Sequence, residues 1–294
     1  MFLLSVIARF PLRMLYGLSS FLAFVIHRLL RYRRHVVEKN VELCLPQLSK
    51  EQRKYVVRQF YRHLADIAVE TLWFGGCTKK ERLRKQRLVE ILDMQPINDI
   101  AAGGRSVMIL SSHAGNWELS GGILNYNYTD AASPFTEQNY AVVYKQLASK
   151  TWDAFMRRNR TAPLDDPEGF EGCIETRQVL RYILSHLKEQ KFYNFITDQR
   201  PYRAAHGSVP VTFLGQSCRS MAAAANLANR FAFAVVYQRM YRKSRGHYAL
   251  EYVTITPDAS TTTPQEIMER YYELLTADIC AHPEQYLWTH KRFK

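Results

Sequence analysis

The chain reads as an α/β protein with a mostly parallel sheet flanked by helices. Two observations point there. Short apolar runs of strand length recur from residue 106 onward, and stretches of helical periodicity fill the intervals between them. A charge-free N-terminal run, Met14–Ile26, stands apart from both. Taken in order, that run is bounded by Arg9 and Arg13 before and Arg28, Arg31, Arg33 and Arg34 after. It is short for a bilayer crossing, which takes about 20 apolar residues. Residues 2–26 can just span if the two early arginines snorkel, and otherwise lie in the interface plane as an amphipathic helix. No small-residue cleavage site follows, which argues against a signal peptide. The arginines after it would keep the rest of the chain on the cytoplasmic side. The division is therefore residues 1–30 as a membrane-anchor or interfacial helix and 31–294 as the catalytic-sized domain.

Residues 35–95 are expected to be helical, with a start at Ser49-Lys50-Glu51-Gln52 and apolar residues at helical spacing from Tyr55 to Phe74. The strands expected next are Ser106–Ser111, Tyr140–Tyr144, Phe192–Thr197, Ala232–Tyr237 and His247–Ile255. Helices are expected at Trp117–Leu124, Ser149–Arg160, Cys173–Gln190, Ser220–Asn229 and Pro264–Ala281, with a Pro/Asp/Gly-rich loop at 161–172. Nothing resembles a linker, a repeat or a low-complexity tract.

The charge balance is basic, 40 Lys and Arg against 27 Asp and Glu, for a net +13. Such a surplus favours polyanionic partners such as phospholipid headgroups. The tyrosine-rich stretch Tyr237–Arg242 has strand spacing, so it reads as a sheet face and not as a nucleic-acid platform. Five scattered cysteines without a CxxC pair fit free thiols and no zinc site. There is no HExxH, GxSxG, GxGxxG or P-loop, so the chain lacks the fingerprints of zinc peptidases, serine hydrolases, dinucleotide enzymes and ATPases. No metal or cofactor is expected. His63, His186 and His206 have no spacing partner and read as surface or satisfied core residues.

The informative segment is Ser111-Ser112-His113-Ala114-Gly115-Asn116-Trp117-Glu118, where an expected strand ends and a helix begins. Ligand sites in α/β sheets gather at such carboxyl ends. Acyl transfer needs a base to take a proton from the attacking hydroxyl and a carboxylate to steady the imidazolium that forms. His113 and Glu118 supply those groups, Gly115 permits close backbone approach, and free amides at the helix start would face an oxyanion. Ser111 and Ser112 read as strand-end packing or a helix-start hydrogen bond.

HAGNWE resembles the His–Glu block of the bacterial lipid A late acyltransferase family, within the lysophospholipid acyltransferase-like superfamily. Further blocks resemble that family in the expected order: Tyr32–Asn40, Phe60-Tyr61 through Glu70, Val142–Lys145, Asp198-Gln199, Gly207–Gly215 and His282–Lys294. The resemblance covers nearly the whole chain. It implies a glycerolipid acyltransferase-like α/β fold on the cytoplasmic face of the bacterial inner membrane. It implies an acyl carrier protein or acyl-CoA thioester as donor, and a hydroxyl of a glycolipid such as a lipid A precursor as acceptor. His113 would be the base, with Glu118 and Asp198 both candidates to contact it. Asn116 and Gln199 would line the substrate site, and Lys145 would meet a phosphate or the oxyanion. Three departures stand out. Lys145 replaces the usual Arg, keeping the charge and losing the bidentate fork. Tyr286 and Phe293 replace tryptophans, which bears on interfacial anchoring. The stretch after Gly215 lacks the usual Thr-Gly step, which bears on the acyl pocket. The same chemistry on an ornithine lipid, a phosphoinositide mannoside or another aminolipid is an alternative, and so is a lipid-binding protein of this fold without catalysis.

Overall fold

The computed structural model describes residues 6–126, 132–201 and 207–293. The start of the N-terminal segment, His206 and Lys294 of the closing block lie outside the described residues. Nine strands are present among those described: β1 (Val89–Asp93), β2 (Val107–Ser111), β3 (Tyr140–Tyr144), β4 (Cys173–Glu175), β5 (Phe192–Ile196), β6 (Ser208–Phe213), β7 (Gln216–Met221), β8 (Ala234–Ser244) and β9 (His247–Thr256). Seven form one sheet in the order β1-β9-β8-β2-β5-β3-β4, and β6 and β7 form a separate hairpin. Every pairing in the large sheet is parallel except β8 with β9. That exception follows from the connection: Ser244 pairs with His247, so Arg245-Gly246 is a two-residue turn, and Gly246 takes φ +78° there.

β2 is the central strand and is buried throughout. Met108 and Leu110 face one core, and Val107 and Ile109 face the other. This is why the run reads as continuously apolar and not as alternating. The first core is closed by α2 (Arg34–Cys44), part of α3 (Lys50–Phe74), α8 (Ala223–Arg230), α9 (Pro264–Ala281) and the β6–β7 hairpin. The second is closed by the C-terminal half of α3, by α1 (Leu12–Phe24), α4 (Lys80–Gln86) and α5 (Gln95–Ala102). Two shorter helices, α6 (Lys150–Thr161) and α7 (Val179–Ser185), lie in the later crossovers. Both long helices begin with reciprocal capping boxes, Ser49 with Gln52 and Thr263 with Glu266, each satisfying two otherwise unpaired amides.

Four expectations need correction. The stretch 35–95 is helical only to Gln86; Val89–Asp93 is an edge strand parallel to β9. Cys173–Gln190 opens as strand β4, because β3 has an unpaired edge that the Gly172 carbonyl and the Thr176 amide satisfy. Trp117–Asn125 is a 3-10 helix; Gly121 there sits so close to the Arg160 carbonyl that a Cβ would lie 2.3 Å from it. Ser220 and Met221 belong to β7, so α8 starts only at Ala223.

The N-terminal segment is corrected too. α1 has 13 residues and begins after Pro11. Among the described residues no helix is long and apolar enough to cross a membrane. Leu12, Leu15, Ser19 and Ala23 form its buried face. The opposite face is apolar and uncovered: Met14, Leu18, Phe21 and Phe24 are 60, 44, 65 and 53% exposed.

Candidate active site

β2 ends at Ser111 with its hydroxyl committed inward, donating to Asn194 Oδ1 at 2.7 Å. The chain then turns, and Gly115, at φ +64°, passes against β8, where a Cβ would lie 2.7 Å from the Met240 carbonyl. Only glycine combines that φ with that approach. The turn is fastened on its inner side: the Gly115 amide donates to the Gln285 carbonyl (3.0 Å), and the Leu287 amide donates to the His113 carbonyl (3.2 Å). The Ala114 amide is occupied by Ser112 Oγ at 3.3 Å. Two amides of the turn are therefore already committed.

His113 faces outward from this turn. Its Nδ1 lies 2.7 Å from Asp198 Oδ1, just past the end of neighbouring strand β5. The imidazole is 15% exposed and the carboxylate 2%. Burial pushes the Asp198 pKa up. The His113 charge and hydrogen bonds from His113 and Tyr286 outweigh burial and hold it below the ordinary aspartate range. An ionised carboxylate only accepts, so Nδ1 carries a proton, and in the neutral ring Nε2 is the nitrogen that presents a lone pair. The Gln199 amide lies 3.2 Å from that nitrogen. Trp117 packs edge-on against the ring, with centroids 5.0 Å apart. Arg292, 2% exposed, donates to the Asp198 carbonyl at 2.9 Å and to the Tyr272 hydroxyl at 3.1 Å.

Glu118 does not share this contact. Both its oxygens are held by Arg160 of α6, at 2.9 and 3.0 Å, and Oε1 also accepts from the Trp117 indole at 3.2 Å. Asn116 turns into the protein: it is fully buried and donates to Glu70 Oε2 at 2.7 Å. Lys145 follows β3 at the same end of the sheet, two strands from β2, and is exposed. The structure thus joins His113, Asp198 and Gln199, and places Glu118, Asn116 and Lys145 in other contacts or at another strand.

The model for bacterial lipid A biosynthesis acyltransferases matches residues 1–294. The chain belongs to that family. It is an acyl-transferring enzyme. It is 27% identical over 269 residues to a lipid A biosynthesis palmitoleoyltransferase of Escherichia coli K12, covering 90% of this chain and 80% of that protein. It is 22% identical to the E. coli K12 lipid A biosynthesis lauroyltransferase, covering 99% and 89%. It is also 22% identical to a lipid A biosynthesis acyltransferase of Haemophilus influenzae, covering 98% and 84%.

The acyltransferase motifs turn out to be one assembly. The closing block runs beneath the site: Ala114 bridges Tyr286, Trp288 is fully buried, and Asn40 of the Tyr32–Asn40 block donates to the Trp288 and His290 carbonyls, both at 2.9 Å. Tyr286 is 3% exposed and Phe293 stacks on Phe213, so these two swaps concern the core and not an interface. Behind the turn, α3 presents His63, Asp66 and Glu70 on one face. His63 Nε2 donates to the Gly115 carbonyl at 2.9 Å. Glu70 accepts from Asn116, Tyr16 (2.8 Å) and Tyr248 (2.7 Å). Sequence reasoning passed over Arg160, Arg292 and the chemical use of Glu70. A signal was there for Arg292, which lies in the closing motif block, and for Glu70, whose spacing from Asp66 and His63 puts buried polar groups on an otherwise apolar helix face; Arg160 had none.

Proposed function

We propose that this chain transfers a fatty acyl group from a thioester, carried by acyl carrier protein or coenzyme A, to a hydroxyl of a lipid A precursor, without an acyl-enzyme. The observation that carries this reading is the His113–Asp198 contact, which commits Nδ1 as a donor and makes Nε2 the nitrogen that can accept a proton. The acceptor hydroxyl takes the place Gln199 occupies at Nε2 and loses its proton to that nitrogen as its oxygen bonds to the thioester carbonyl. The tetrahedral adduct then collapses, the C–S bond breaks, and the proton passes from Nε2 to the departing thiolate. Asp198 steadies the imidazolium between the two steps. Glu118 acts at one remove, fixing Trp117 against the His113 ring and anchoring α6 through Arg160. Lys145 serves the anionic end of a substrate. The names of the relatives support lipid A as acceptor.

Residues 1–30 form a membrane-facing segment on the 31–294 acyltransferase domain. α1 lies in the interface, its stripe of Met14, Leu18, Phe21 and Phe24 among the acyl chains, on the cytoplasmic face of the inner membrane. The test is mass spectrometry of lipid A from cells lacking the gene, rescued by wild type or His113→Ala. Loss of one acyl chain, restored by wild type alone, is expected. Restoration by His113→Ala would overturn the mechanism, and unaltered lipid A in the deletion strain would overturn the acceptor.

A further inference from the structure

On the flank of α1, between its buried face and its exposed stripe, a cavity of about 450 Å³ opens beside the β8–β9 turn. Its lining carries four cations, Arg62, Arg242, Lys243 and Arg245, against two carboxylates, Asp66 and Glu284, with Ser20 of α1 at the edge. Asp66 is 2% exposed and lies beneath the arginines. It is reached by Arg242 NH1 at 3.1 Å and by Arg245 NH2 at 2.6 Å and Nε at 3.1 Å. Arg245 is also held by the Tyr16 carbonyl (3.1 Å) and packs over the Tyr16 ring, 4.5 Å from its centroid. Two guanidinium groups are thus fixed by a buried anion, while the exposed Arg62 and Lys243, the latter in a solvent-exposed pair with Glu90 at 3.6 Å, leave the lining with more cations than carboxylates.

We infer that this cavity binds a phosphate group borne by a lipid. The inference rests on the interfacial placement of α1 proposed above. A helix lying with its apolar stripe among acyl chains holds its flank at the depth of the headgroups, and that flank is where the cavity opens. Arginines whose geometry is set in advance suit phosphate oxygens better than free surface lysines do, because less side-chain freedom is lost on binding. β8 runs parallel to β2 and continues past its end, so the cavity stands at the same end of the sheet as His113. The phosphate comes from one of two sources: a bilayer phospholipid that orients the enzyme, or the acceptor glycolipid itself.

The test compares the full-length double variant Arg62→Ala/Lys243→Ala with Lys188→Ala/Arg230→Ala, which removes the same charge at the opposite end of the sheet. Vesicles of neutral phosphatidylcholine, with or without phosphatidylglycerol, are floated with each protein. Loss of about tenfold in partitioning to the anionic vesicles by the cavity variant alone is expected if bilayer lipid is the ligand. If the acceptor is the ligand, the cavity variant instead raises KM for a phosphorylated acceptor in neutral detergent micelles at constant kcat. That rise disappears after phosphatase treatment of the acceptor. Equal losses in both variants, or wild-type behaviour of the cavity variant in both arms, overturns the proposal. The flotation arm needs no turnover, so it reads the cavity even where the acyl-transfer assignment fails.

Discussion

Two histidines meet the turn after β2 from opposite sides, and their surroundings assign them opposite work. His113 stands on the outer side, partly exposed, with a buried carboxylate on Nδ1 and its other nitrogen open to exchange. His63 stands on the inner side, 1% exposed, with Nε2 on the Gly115 carbonyl and no partner for Nδ1 among the described residues. Burial, with the Arg242 charge adding to it, pushes the His63 pKa down to about 3, the Gly115 hydrogen bond offsetting only part. His63 is therefore a neutral brace for the backbone. In the proposed mechanism the same side chain serves as a base where a buried carboxylate holds one nitrogen and leaves the other open, and it is a brace where only a carbonyl and a cation surround it.

Exchange of roles is the sharpest way to break this comparison. His113→Ala should lower kcat by about 10²–10⁴-fold with thermal stability nearly unchanged, read in a thioester transfer assay beside a melting curve. His63→Ala should do the reverse, costing about 2–4 kcal/mol by opening a cavity and stranding the Gly115 carbonyl, with kcat within about tenfold of wild type. Comparable kcat losses in both would mean the two rings form one catalytic unit. Asp198→Asn should come next. It removes the anion that fixes the Nδ1 proton and should cost up to about 10⁴-fold in kcat, with little change in KM. A variant with full activity would leave His113 without need of its partner.

The strand cores and the His113 turn were legible because each is local: a run of apolar residues, or a glycine-containing turn at a strand end. What escaped is nonlocal. Asp198 lies 85 residues from His113, and Arg160 lies 42 from Glu118, so no spacing rule connects either pair. Hence which carboxylate touches the imidazole stayed open until the β2–β5 pairing put their ends side by side. Asn116 was expected at the substrate site through the family resemblance; here the 3-10 start points it at Glu70, 46 residues away. β4 escaped because three residues carry no periodicity, and only the free edge of β3 makes them a strand.

The comparison of carboxylates gives a smaller effect. Glu118→Gln keeps one acceptor and loses the charge facing Arg160, so it should loosen Trp117 and lower kcat by about tenfold, well short of Asp198→Asn, since it acts on His113 only through packing. A loss as deep as that of Asp198→Asn would make Glu118 a direct participant.

The smallest effect tests the inner side of the turn. Burial pushes the Glu70 pKa up to about 7, against three donated hydrogen bonds that lower it, with the Asp66 charge adding to the rise. Its folded value exceeds its unfolded one, so between them the folded state binds more protons and stability falls as pH rises. His63 works in the other direction: its folded value is depressed, so its contribution is complete above its unfolded value near 6.5 and is lost as pH falls. The two slopes oppose each other in mildly acid solution. Above pH ~6.5 the His63 slope fades, and the Glu70 slope should remove about 1 kcal/mol by pH ~8. Denaturant titrations of wild type and Glu70→Gln at those two pH values isolate it. The variant, lacking the titrating group, should lose less over the interval even though its amide hydrogens face three donors and lower its stability at both. Parallel losses in the two proteins would mean that Glu70 stays ionised throughout, held by Tyr16, Asn116 and Tyr248 strongly enough to cancel its burial.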